Sequence, residues 1–170
     1  MEKDFSCISE IREIRRMKSV LSERETRLSR PMLCDYAMIP TLYAWFNDIM
    51  DGDEGGQPGK AYARMKFIFI ILFLYAPGAL AGGKMPDGLR AAIARTIPGI
   101  SPCVISNNKK TSTSYYDVYN RYKEEIRGIY DKLVRRIKDC AKSEQPGACS
   151  GKGGDGCSQA KDYPYLWGDY

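Results

Sequence analysis

Histidine is absent from this chain of 170 residues. That absence removes the Ser-His-Asp and Cys-His nucleophile arrangements, His-ligated metal sites and the side chain best suited to proton transfer near neutral pH. Paired carboxylates could still catalyse, but Asp and Glu fall in helical or tail contexts with no recognisable spacing, so no catalytic machinery and no cofactor is expected. Cysteine is present six times, at Cys7, Cys34, Cys103, Cys140, Cys149 and Cys157, yet no two stand in the Cys-x-x-Cys spacing of a zinc or redox pair. Without histidine, Cys140, Cys149 and Cys157 make a poor zinc site, and no metal is expected. The opening Met1-Glu2-Lys3-Asp4 is polar and leads into a charged helix, which is not how a signal peptide begins. The expectation is a cytoplasmic protein with reduced thiols.

Long apolar runs are also missing. The most hydrophobic stretch, residues 67 to 81, is broken at Pro77-Gly78 and falls short of the about twenty residues that a spanning helix needs. With Arg64 and Lys66 at its head it mimics a signal peptide read from Met65, but it is internal. It reads instead as a helix buried on all sides at the centre of the fold, with no membrane involved. The closely spaced carboxylates at Asp51-Gly52-Asp53-Glu54 lack the twelve-residue EF-hand spacing and its final glutamate, which makes this stretch a solvated loop rather than a calcium site.

What remains is ordinary globular material, 44% hydrophobic and 28% charged, in a chain long enough for one domain with its own core. The net charge is +5, but residues 60 to 142 hold sixteen Lys and Arg against six Asp and Glu, so the positive charge is concentrated there. Such asymmetry suits a polyanion partner. A solvated basic helix face is the alternative.

Along the chain, Ile8, Ile11, Ile14, Met17 and Leu21 recur at threes and fours over residues 5 to 28, the pattern of an amphipathic helix with one packed and one wet face. A short helix carrying Leu42, Trp45, Phe46 and Ile49 follows Pro40 and runs out in a Gly/Asp/Pro connector through Pro58-Gly59. A long helix is predicted from about Tyr116 to Ala141, with Tyr119, Tyr122, Ile126, Ile129, Leu133 and Ile137 along one side. From Ser143 the chain is rich in Gly, Ser, Lys and Asp, which predicts a flexible tail. Its aromatic end, with Tyr163, Tyr165 and Trp167, has the make-up of a docking peptide for a protein partner or for self-association. The segments are therefore 1–59, N-terminal helices and connector; 60–142, a basic helical core; and 143–170, the tail.

The most specific local signal lies at residues 87 to 115. Asp87 is placed to cap a helix from Gly88 to Ile97, which Pro98-Gly99 stops. Ser101 caps again, with Pro102 at the first helical position, where its missing N–H is not needed. Ala94 permits close helix contact, Ile100 fills the angle between the helices and Ile105 returns the second helix to the core. Ser106, Asn107, Asn108, Lys109 and Lys110 then lie on or near the outer face. Through Ile93-Ala94, Gly99-Ile100-Ser101 and Ile105-Ser106 the segment resembles the helix-turn-helix family, which implies that the second helix enters the major groove of double-stranded DNA. Asn107 or Asn108 would then read adenine, and Lys109 or Lys110 would read guanine or hold phosphate. Two features depart from the family pattern: Pro98 lengthens the turn by a residue, and the recognition helix lacks arginine.

The stretch from Lys66 to Ile137, particularly Leu80-Ala81-Gly82-Gly83-Lys84 and Val104-Ile105-Ser106-Asn107-Asn108, is similar to small uncharacterised proteins of gut-bacterial prophages. That similarity implies a setting and no activity. The expected protein is thus mainly α, a small helical bundle containing a helix-turn-helix-like unit, with a flexible C-terminal tail. Its expected function is DNA binding for a phage or mobile element, as a regulator or an architectural protein. The alternative is a non-enzymatic phage structural or adaptor protein that docks through its aromatic tail.

Overall fold

A computed structural model describes residues 6–52 and 59–143, which form seven α-helices and one 3-10 turn and contain no strand. The helices are α1 (Ser6–Leu28), α2 (Ile39–Asp51), α3 (Lys60–Tyr75), α4 (Pro77–Leu80), α5 (Leu89–Thr96), α6 (Pro102–Val118) and α7 (Asn120–Ser143); the turn at Tyr36–Met38 precedes α2. The mainly α, helical-bundle expectation is met. The aromatic segment with Tyr163, Tyr165 and Trp167 lies outside the described residues, as do the rest of the tail from 144 and the connector at 53–58.

Because α3 beyond its first turn is apolar on nearly every side, it can be stable only when that part is covered all round. Met65 to Leu72, Leu74 and Tyr75 are all buried, and from Met65 onward only Phe73, at 40% exposure, reaches the surface. The covering comes from α2, α4, α6 and α7. On α2, Pro40 occupies the first turn and Ile39, Leu42, Phe46 and Ile49 recur at helical spacing; all four are buried in the same core as α3. On α7 the inward row is Tyr122, Ile126, Ile129 and Leu133, with Ile137 partly buried behind them. Arg136 pairs with Asp48 at 3.1 Å and ties α7 to α2.

The chain leaves α3 at Ala76, since Pro77 has no N–H to continue the hydrogen-bond ladder and disfavours helical geometry in the residue before it. The carbonyl of Leu74 accepts from the backbone N–H of both Met32 (2.8 Å) and Leu33 (3.1 Å), and the Tyr75 hydroxyl donates to the carbonyl of Asp35 (2.8 Å). The segment after α1 is thereby clamped to the end of α3, where helix carbonyls lack partners of their own.

Three sequence expectations differ from the structure. The predicted long helix does not begin near Tyr116: α6 continues to Val118, Tyr119 takes an extended conformation (φ −105°, ψ 110°), and α7 starts at Asn120. Tyr119 is consequently exposed instead of joining the inward row. The N-terminal helix forms as expected, but among the described residues its apolar face is not packed. Every residue from Ile8 to Leu28 is exposed, and α1 has no substantial contact with another helix. Asp87 does not cap α5. Gly88 stands at the cap with φ +84°, and the Asp87 side chain points outward to Lys84 at 3.6 Å.

Among the described residues no helix is long and apolar enough to cross a membrane.

Candidate nucleic-acid interface

The unit at residues 89 to 118 is built on hydrophobic anchors. Leu89, Ala92 and Ile93 of α5, with Ile97 and Ile100 of the turn, are buried, and Ile105 fixes the first half of α6 in the core. The turn reverses at Gly99, whose φ of +69° is a left-handed conformation that residues bearing a Cβ rarely adopt. Ser101 caps α6 as its sequence position predicts, its Oγ accepting from the N–H of Val104 at 3.5 Å, and Pro102 follows in the first turn. The result is two helices in contact through a five-residue turn. The second runs seventeen residues and is the helix most extensively packed on α3.

Packing on α3 decides which candidate side chains face outward. Asn107 and Lys110 are exposed and, with Val104, Thr111 and Ser114, line the outer face of α6. Ser106, Asn108 and Lys109 are half-buried on its flanks. Ser106 Oγ bonds back to the carbonyl of Pro102 (3.5 Å), and Lys109 Nζ reaches the carbonyl of Gly83 (3.4 Å). The five candidates therefore share one stretch of helix but not one face. The expected outward set reduces to Asn107 and Lys110, with Lys109 able to join them by releasing a single exposed hydrogen bond.

A second cluster escaped the sequence reading. Lys66, only 5% exposed at its side chain, pairs with Glu125 at 2.9 Å and lies 4.4 Å from the centre of the Tyr62 ring. Tyr62 donates to the same carboxylate at 3.0 Å, and Arg121 pairs with its other oxygen at 3.0 Å. Beside them, in the core, Ser112 Oγ and the Tyr122 hydroxyl share a hydrogen bond of 2.7 Å. Burial, and then the hydrogen bond to Glu125, push Tyr62 up to about 12; burial also pushes Tyr122 up to about 12. For Glu125 burial acts upward, but the hydrogen bonds from Lys66 and Tyr62 outweigh it and hold the carboxyl below its ordinary value. The cluster joins α3, α6 and α7. Its one signal in the sequence is the charge of Lys66 beside the apolar run of α3, which calls for a counter-ion once it is buried.

Between α3, α4, α6 and α7 lies an open groove of about 670 Å³, with Phe69, Phe73, Tyr116 and Ile126 in its wall and Lys123 and Arg127 at its rim. Among the described residues no three His, Cys, Asp or Glu side chains are grouped so as to hold a metal ion. Compared with known proteins, the chain matches no family model, no curated protein and no solved structure.

Proposed function

We propose that the chain is a cytoplasmic DNA-binding protein, a regulator or architectural protein of a phage or mobile element, and that α6 is the helix it offers to the major groove. The observation that carries this reading is the α5–turn–α6 pair, held by buried isoleucines and a left-handed Gly99, with Asn107 and Lys110 on its uncovered face. Asn107 has the donor and acceptor pair that adenine presents in the groove, and Lys110, with Lys109, supplies charge for guanine or phosphate. The excess of Lys and Arg over residues 60 to 142 adds attraction that needs no particular sequence.

Binding of the full chain to mixed duplex DNA across a salt series tests this. Affinity falls linearly with salt on logarithmic axes, and Lys109→Ala with Lys110→Ala lowers affinity on all sequences and reduces that slope by about two. Asn107→Ala mainly relaxes sequence preference. Absence of binding at low salt, or full affinity in the double lysine variant, overturns the assignment. The second reading, a structural or adaptor protein, is favoured by a different observation, the uncovered apolar face of α1.

A further inference from the structure

A helix in water draws most of its stability from packing an apolar face, and α1, at 23 residues, has no substantial contact with another helix among the described residues. Ile11, Ile14, Met17 and Leu21 stand between 40% and 63% exposed in one stripe, continued toward the N-terminus by Cys7. The stripe is symmetric about Ile14. Ile11 and Met17 lie three residues to either side, Cys7 and Leu21 seven residues to either side, and at 3.6 residues per turn the latter two are within about 20° of the Ile14 direction. A face that reads the same from its midpoint in both directions is complementary to its own copy run antiparallel, in which residue i meets residue j and j meets i.

The charges beside the stripe settle the orientation. Glu10 and Lys18 sit four residues either side of Ile14, near the middle of the face. A parallel, in-register pair would set Glu10 against Glu10 and Lys18 against Lys18. The antiparallel pair brings each Glu10 level with the Lys18 of the other copy, two opposite-charge contacts flanking the Ile14 layer. Within one helix these two residues are eight apart and cannot pair, so their complementarity is realised only between chains.

We infer that α1 is a homodimerisation helix that pairs antiparallel with the α1 of a second copy, layering Ile14 on Ile14 and Cys7 on Leu21. The inference is independent of the DNA-binding reading, because α1 carries none of the residues assigned to the groove.

Sedimentation equilibrium of the full chain over a concentration series, with near-ultraviolet circular dichroism to verify the core, tests it. The wild type is a concentration-dependent dimer, and Ile14→Glu makes it a monomer with an unchanged core spectrum. Glu10→Lys, which sets lysine against lysine at both ends, weakens dimerisation by about tenfold or more, and Glu10→Lys with Lys18→Glu restores it. A wild type that stays monomeric overturns the proposal, as does a dimer indifferent to Ile14→Glu. A dimer that Glu10→Lys leaves intact overturns the antiparallel assignment.

Discussion

The ion pair of Lys66 and Glu125 is asymmetric in its surroundings, and its two halves are expected to respond differently to removal. Glu125→Ala strands an ammonium that is 5% exposed, and breaking a buried pair in this way costs about 3–5 kcal/mol. Lys66→Met leaves a carboxylate that is 28% exposed and still held by Arg121 and Tyr62, so its cost stays within about 1.5 kcal/mol. Urea unfolding of the two variants checks the order, and equal losses would contradict it. Since Glu125 titrates below its unfolded value, its contribution is fully present above that unfolded value and is lost as pH falls through the folded one. Glu125→Ala should flatten that acid limb. Only half of this pair was legible in the sequence: Lys66 is conspicuous within α3, but nothing local identifies a residue on α7 as its partner.

At the scale of elements, Gly99 is the sharpest test of the turn between α5 and α6. A Cβ added there meets nothing within 4 Å, so any loss reports backbone conformation alone. Gly99→Ala should cost about 1–2 kcal/mol, and Gly99→Asn less, because asparagine tolerates the left-handed region. Denaturation midpoints of the two variants measure this, and an Ala variant as stable as wild type would contradict the turn conformation. The helices themselves were largely legible, because α2, α3 and α7 owe their positions to apolar spacing that any reader can count. What spacing lacks is the identity of the surface on the other side. The stripe of α1 predicted packing and found none among the described residues, whereas the break at Tyr119 has neither glycine nor proline to announce it. Asp87 had the right chemistry for a cap, but the left-handed Gly88 turned its carboxylate away from the helix start. Of the candidate site, the outward position of Asn107 and Lys110 was legible; the half-burial of Asn108 and Lys109 depended on where α3 and Gly83 lie.

For the molecule as a whole, three tyrosines tie stability to alkaline pH. Burial is the leading cause that raises Tyr62, Tyr75 and Tyr122 to about 12, and the unfolded chain titrates them near about 10. A raised folded value means that stability is whole below about 10 and falls as pH climbs from there toward 12. Urea midpoints should therefore hold steady on the approach to pH 10 and drop steeply beyond it, and Phe at any one of the three positions should make the fall shallower. A midpoint unchanged at pH 11 would show that these hydroxyls are not protected.

The enclosure of α3 also sets an order of events while the chain is being made. This helix is synthesised before α6 and α7, and two of its sides lack their cover until Ile105 and, later, Tyr122 to Leu133 have been added and have emerged. Throughout that interval the nascent chain displays a greasy rod with a single buried-to-be lysine, the kind of surface that holding chaperones grip and that sticks to its neighbours on a polysome.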